Sequence, residues 1–293
     1  MIVRETDLSA DGFPPARGKV RDIYDLGDTL LLVSTDRISA YDSILPTPIA
    51  GKGEALNQIS AFWFKKTAGL FPNHFISSDI GDFPPVLRKR AAELAGRSML
   101  VKKTRPLPVE CVVRGYLCGS AWTEYLAEGT ACGVDLPSGI KLSQKLTTPI
   151  FTPAAKAPGG GRDVNITFEQ SCEIAGGENM ERARAMCVEI YKLASGIAAD
   201  RGIIIADTKF EMGVDPDGRL IFIDEMLTPD SSRFWSARLY QSGKAQDSFD
   251  KQFVRDYLDA TGWDRNPPAP SLPPEVAEKT SGKYTEMKHV FSD

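Results

Sequence analysis

The order of strand-like and helix-like segments predicts an α+β fold of two lobes. Strands and helices are interspersed without a regular β–α–β alternation, which argues against a doubly wound sheet. Pro106 and Pro108 break a long strand-like run and mark the expected boundary, with an N-terminal lobe over 1–108 and a C-terminal lobe over 109–293. A chain of 293 residues is long enough to bury a large core in such an arrangement.

Residues 17–35, RGKVRDIYDLGDTLLLVST, predict a hairpin: a polar strand to Asp25, a turn at Gly27-Asp28, and a buried strand over Leu30 to Val33. Residues 53–69 carry apolar groups at helical spacing and stop at Gly69. In FPPVLRKRAAELAG the prolines suit a helix start and Gly96 its end. The run from Ser98 to Leu117 predicts two strands separated by the prolines. Residues 136–166 are rich in Pro and Gly and predict a long irregular stretch of the kind that is functional or disordered. A helix is expected over about 178–200, its stripe of Met180, Ala183, Met186 or Cys187, Ile190 and Leu193 or Ala194 reading as core. Then come IIADTKFEMG, a turn at Asp215 to Gly218, the strand RLIFIDEM, and a further helix over 245–258.

Composition narrows the function. Apolar and charged fractions of 42% and 25% are those of an ordinary globular protein. A net charge of −4 disfavours nucleic acid as the main partner while leaving room for a local anion pocket. The five cysteines form no C-x-x-C pair, so neither a zinc ribbon nor a disulfide framework is indicated, and reduced thiols in a cytoplasmic protein are expected. The N-terminus carries charges where a signal peptide needs an apolar run, and no stretch reaches membrane-spanning length. With only His74 and His289 present, a histidine triad or multi-histidine metal site would rest on His74 alone. Any catalysis must therefore come from Asp, Glu, Lys and Arg.

Those residue types cluster. Asp207, Lys209 and Glu211 alternate along IIADTKFEMG, so a strand places all three on one face. A solvated strand face is the plain alternative. With the turn centred between Pro216 and Asp217, Glu211 would pair near Phe222 and Lys209 near Asp224, making Glu211 and Asp224 diagonal neighbours. A slip of one residue would present Glu225 instead. Two carboxylates among apolar neighbours are costly to bury unpaired, and Mg²⁺ shared with nucleotide phosphates resolves the cost. Gly18, Lys19 and Arg21 on the early hairpin suggest backbone donors and two same-face cations for phosphate, although cations on an edge strand also serve solubility. Asp36, Arg37 and Asp42 follow a buried strand; Arg114 ends an apolar one shortly before Gly119-Ser120. Thr228, Asp230, Ser231, Ser232 and Arg233 form a polar loop. Each arginine taken singly reads as surface charge, but together Arg114 and Arg233 suggest a held anionic substrate.

The stretches GKVRDIYD, VSTDRISAYD, PLPVECVVRGYLCGSAW, PIFTPAAKA, ADTKFEMG and IDEMLTPDSSRFW closely resemble the SAICAR synthetase (phosphoribosylaminoimidazole-succinocarboxamide synthase) family, in its longer form, in consistent order from Gly18 to past residue 260. Met212 stands where the family usually has Phe, a conservative apolar change. The resemblance implies a two-lobed architecture related to ATP-grasp enzymes, with a kinase-like N-terminal lobe. It implies ATP-dependent ligation of L-aspartate to an imidazole carboxylate ribonucleotide, through an acyl phosphate. It further implies ATP-phosphate contacts at Lys19, Arg21 and Lys209, an adenine-reading hinge around Glu110 to Val112, and Mg²⁺ ligands at Glu211 and Asp224. Arg114, Ser120 and Arg233 would line the ribonucleotide phosphate pocket, Lys156 a substrate loop, with Arg37, Asp207 and Asp230 as further site candidates. Partners would be small molecules, and the protein a monomer or small homo-oligomer. Two rivals share these charges: a kinase, against which the absence of H-R-D and D-F-G motifs stands, and a nucleotide-binding protein without turnover, which would need a broken metal pair.

Overall fold

The computed structural model describes residues 1–157, 163–249 and 251–292. The chain begins with the short strand β1 (Ala16–Arg17), the hairpin β2 (Arg21–Asp25) and β3 (Thr29–Ser34), and the small ribbon β4 (Ser39–Ala40) and β5 (Ser43–Ile44). Helix α1 (Lys52–Thr67), strand β6 (Phe75–Ser77), the single-turn helices α2 (Pro85–Arg88) and α3 (Ala91–Leu94), and strand β7 (Ser98–Lys102) complete a first layer. Its antiparallel sheet has the order β1-β2-β3-β7-β6, with α1 laid across it. The helix expected over FPPVLRKRAAELAG is thus two separate turns, interrupted at Lys89-Arg90, where Arg90 reaches away to Asp11 and the Asp7 carbonyl.

The second sheet is built around β8 (Arg105–Tyr116). After α4 (Gly119–Glu128) come the ribbon β9 (Thr130–Ala131) and β10 (Val134–Asp135), then β11 (Lys145–Phe151), β12 (Ala154–Ala155) and β13 (Val164–Asn165). Helices α5 (Phe168–Ala175) and α6 (Gly177–Asp200) lead to β14 (Ile203–Val214), β15 (Leu220–Ile223) and β16 (Ser232–Ser236), and α7 (Gln252–Ala260) and α8 (Pro274–Val290) follow. Strand order is β13-β12-β8-β14-β15, with β11 on β8 and β16 on β14. The Pro- and Gly-rich stretch therefore contributes ladder strands in its middle, β11 and β12, and β13 near its end; residues 158–162, and residue 250 of the helix expected over 245–258, lie outside the described residues.

Pro106 and Pro108 do not interrupt the second sheet. Both lie inside β8, where the β8–β14 ladder is irregular and a missing donor is tolerated, and the Pro108 carbonyl accepts from the Lys156 amide at 3.1 Å. The chain changes sheets earlier, between Lys102 and Arg105. Nor do the two layers have separate interiors. One apolar cluster joins α1 and β7 to α6, β8 and β14, and a second joins α1 and Ile38 to Leu45 with α7 and α8. The stripe read on α6 is buried as expected, through Ala194 and not the exposed Leu193, with Tyr191 and Ala198 adding to it.

Candidate active site

Strands β8 and β14 build one wall. Directly opposed residues of an antiparallel ladder share a face, and the register sets Asp207 against Arg114, Lys209 against Val112 and Glu211 against Glu110. The alternation of IIADTKFEMG thus meets a matching alternation on β8. At one end, Asp207 accepts from Arg114 Nη1 at 2.9 Å and from Arg233 on β16. Arg114 Nε donates to Thr152 Oγ1 at 2.9 Å and its Nη2 approaches Ser120 Oγ at 3.4 Å. Gly119 (φ 58°) leaves room for this: a Cβ there would lie 2.5 Å from Arg233 Nη2. A cavity of about 220 Å³ opens here, walled by Val112, Arg114, Ser120, Asp207, Lys209 and Arg233, and by Asp230, Lys251 and Arg255 from the following loop and α7. Five cations against two carboxylates make it an anion pocket.

At the other end of the ladder, Lys209 Nζ lies 2.5 Å from Glu110 Oε1, and Glu211 pairs with Lys156. Asp224 arrives by a different route from the one read in the sequence. The Asp215 carboxylate caps the turn by accepting from the amides of Asp217 and Arg219, and the five residues 215–219 form the loop. Glu211 therefore faces Ile223, one residue away from the expected register. Strand parity alone would send Asp224 to the opposite face, but β15 ends at Ile223 and Asp224 takes φ 65°, which redirects its side chain. His74, hydrogen-bonded to the Asp224 main chain and packed 5.0 Å from the Phe64 ring, braces this conformation. Burial pushes its imidazole down to about 3, so it is neutral and supplies no catalytic acid.

Asp224 and Glu225 both grip Arg21, the latter at 2.6 Å, so the hairpin of the first sheet is tied to the second. Burial would raise the Asp224 carboxyl, but Arg21 holds it below the usual range. For Glu211, burial and the neighbouring Asp224 outweigh Lys156 and Lys209 and push its carboxyl up. Two adjacent carboxylates that repel one another are a donor set that a divalent cation relieves. Among the described residues no group of three or more His, Cys, Asp or Glu side chains is placed to hold a metal; Mg²⁺, which keeps water and phosphate oxygens, needs only one or two carboxylates.

Burial likewise pushes Glu110 up to about 7, against the pull of Lys209. Its folded pKa lies above the unfolded value of 4.5, so between these pH values the folded state holds a proton that the unfolded state has released. This contribution to stability is present at pH 4.5 and is lost as pH rises through 7. Wild type should therefore gain on Glu110→Gln on going from pH 7 to 5, by at most about 1.4 kcal/mol per pH unit. Denaturant melts of both proteins at the two pH values check this; a constant difference would contradict it.

Several candidates read from the sequence take other places. The Gly18 amide donates to the Arg21 carbonyl at 2.8 Å and is turned inward. Lys19 and Arg21 do not share a face, because Lys19 lies in the turn before β2 and pairs with Asp42 at 2.6 Å. Arg37 is not on the cavity wall: its guanidinium donates to the carbonyls of Arg4, Gly18, Lys19 and Arg21 and to Asp22, bracing the hairpin from behind. Asp36 accepts from the amides of Val3 and Gly53 and from Arg97. Asp230 lines the cavity but is already held by Lys52, Lys251 and Tyr284. Lys52, Thr152, Lys251, Arg255 and Tyr284 were not singled out from sequence. Each is a common residue in an ordinary helix or loop, and only tertiary packing brings it here.

Two sheets joined by part-buried ion pairs, with a cationic cavity beside a carboxylate pair, define a two-lobed enzyme that handles phosphorylated small molecules. The comparisons with known proteins agree on which one. The profile of the SAICAR synthetase family matches residues 15–270. The phosphoribosylaminoimidazole-succinocarboxamide synthases of Desulfosudis oleivorans and Geobacter sulfurreducens are each 56% identical over 270 residues, covering 92% of this chain and 92% and 91% of theirs. Among solved structures, SAICAR synthase from Saccharomyces cerevisiae complexed with SAICAR has a TM-score of 0.89 at 41% identity, over 99% of this chain and 98% of that one. A type-2 SAICAR synthetase in complex with ADP shares the fold, with a TM-score of 0.66 at 22% identity over 93% of this chain and 97% of that one. The chain belongs to the SAICAR synthetase family.

Proposed function

We propose that the cationic cavity holds the phosphate of the imidazole ribonucleotide, while Glu211 and Asp224, beyond Lys209, hold Mg²⁺ with the phosphates of ATP. The reaction is that of the family: ATP-dependent ligation of L-aspartate to 5-amino-1-(5-phosphoribosyl)imidazole-4-carboxylate, giving SAICAR, ADP and phosphate in purine biosynthesis. The observation that carries the site reading is the Arg114–Asp207–Arg233 bridge beside Ser120, a pair of guanidiniums fixed in place by a shared carboxylate. Guanidiniums so held match the fork geometry of a phosphate.

The chemistry suits the residues. A carboxylate is a poor electrophile, and phosphorylation by ATP supplies a leaving group as an acyl phosphate. The aspartate amine then forms the C–N bond, the C–O bond to phosphate breaks, and the amine loses a proton. Such transfers depend on positioning and charge neutralisation more than on a nucleophilic side chain. When bound, Mg²⁺ would neutralise charge on the transferring phosphoryl group. Lys209, Lys156 and Arg21 are the chain's own cations around the same carboxylates. Among the described residues no helix is long and apolar enough to cross a membrane. No disulfide joins the five cysteines, in keeping with the cytoplasmic setting we propose.

Purified protein should form ADP only when the ribonucleotide, aspartate and Mg²⁺ are all supplied, as read by a coupled ADP assay. ADP release indifferent to aspartate would indicate a kinase or ATPase. Nucleotide binding without turnover would indicate a binding protein.

A further inference from the structure

We propose that Lys251 contacts the substrate anion in the cavity and that the buried Lys52 sets the charge Lys251 presents, acting through Asp230. This rests on reading the cavity as an anion pocket. Asp230, in the loop between β15 and β16, receives three donors. Its Oδ2 takes the ammoniums of Lys52 and Lys251, each at 2.9 Å, and its Oδ1 takes the Tyr284 hydroxyl at 2.6 Å. Lys52 opens α1, Lys251 precedes α7 and Tyr284 sits in α8, so three helices meet at one carboxylate.

The charge count is the informative part. Lys251 and Asp230 alone would form a neutral pair, the less costly arrangement away from water. The second ammonium leaves these three side chains at +1; Glu225 also acts on Lys52, but it is already paired with Arg21 at 2.6 Å. Lys52 is 0% exposed and does not reach the cavity; besides Asp230 it lies 5.4 Å from the centroid of the Tyr284 ring. Burial pushes it down to about 8 against the pull of Asp230, as expected of an ammonium held without water. Burial would raise the Asp230 carboxyl, but the ammoniums of Lys251 and Lys52 and the bond from Tyr284 hold it below the usual range. Only Lys251 carries the excess charge to a ligand, since it alone of the two ammoniums lines the cavity. An Asp230 oxygen shared between two ammoniums neutralises each less completely than an exclusive partner would. Lys251 is thereby left as an incompletely neutralised cation on the cavity wall. A lysine kept only to staple α1 to the loop would not require that charge; an uncharged donor would hold Asp230 as well.

The test uses the full chain, with inorganic phosphate as the calorimetric probe and steady-state KM for the ribonucleotide and for ATP as a second readout. Lys251→Gln should weaken phosphate about tenfold or more and raise the ribonucleotide KM in parallel, leaving the ATP KM in place. Lys52→Met should weaken phosphate several-fold in the wild-type background and add nothing to Lys251→Gln, with Lys52→Arg restoring binding. If Lys52→Met does not fold, Lys52→Gln serves, since it keeps a donor to Asp230 without the charge and should still weaken phosphate. Unchanged phosphate affinity in Lys251→Gln would overturn the contact. A Lys52 variant that loses thermal stability but binds phosphate normally would reduce Lys52 to a staple and overturn its role. Arg114→Gln is the control for the cavity: if it too leaves phosphate binding intact, the pocket reading fails; if it alone abolishes binding, only the Lys251 inference does.

Discussion

Glu211→Gln should lower turnover about 10²- to 10³-fold while the protein melts within a few degrees of wild type. The two halves of this expectation have different sources. Turnover falls because the amide loses the charge that would hold Mg²⁺ against ATP, and phosphoryl transfer depends on that neutralisation. Stability holds because burial and Asp224 already disfavour the charged form of Glu211, so a neutral isostere removes a repulsion. Lys156, left without its partner, is part-exposed and can turn to water. Single-turnover ADP formation across a Mg²⁺ titration, beside a thermal melt, separates the two effects. Near-normal turnover would remove Glu211 from the site.

Asp207→Asn should raise the ribonucleotide KM about 10²-fold, with a much smaller change in the ATP KM. Asp207 is a carboxylate between two guanidiniums, and Arg114, at 5% side-chain exposure, has no solvent to turn to. Removing one partner of a buried charge pair costs about 2–5 kcal/mol. Two effects oppose each other. Losing a negative charge makes the pocket more attractive to phosphate, but the guanidiniums then repel and leave the fork geometry that phosphate needs. Bidentate recognition is geometric, so the positioning loss is expected to win. Tighter phosphate binding in Asp207→Asn would show that net charge governs the pocket and that Asp207 does not position the arginines.

The face carrying Asp207, Lys209 and Glu211 was legible because strand alternation is local, and β14 is regular over that span. So were the hairpin of the first sheet and the buried stripe of α6. Asp224 was placed beside Glu211 by a register that the chain does not adopt; the left-handed residue that brings it there leaves no mark in a strand pattern. Pro106 and Pro108 were misread because a missing donor ends a strand only where the ladder is regular. Lys19 and Arg21 were read as cations of one strand face, yet Lys19 lies in the turn before β2 and pairs with Asp42, while Arg37 is taken up in bracing the hairpin. The Asp230 cluster was invisible for the opposite reason: Lys52, Asp230, Lys251 and Tyr284 span more than 200 positions, and nothing local distinguishes a lysine that opens a helix from one at the surface.

That span has a consequence for how the enzyme comes into being. Tyr284 is synthesised after every other residue that holds or lines the cavity, and its hydroxyl supplies the third bond to Asp230. Met287 in α8 and Phe291 just after it also pack into the cluster shared by α1, α6, β8 and β14, so a chain still leaving the ribosome lacks part of its core as well as that bond. The loop bearing Asp230 then waits for the docking of that helix. Fold and site are therefore completed together, when α8 has emerged and docked.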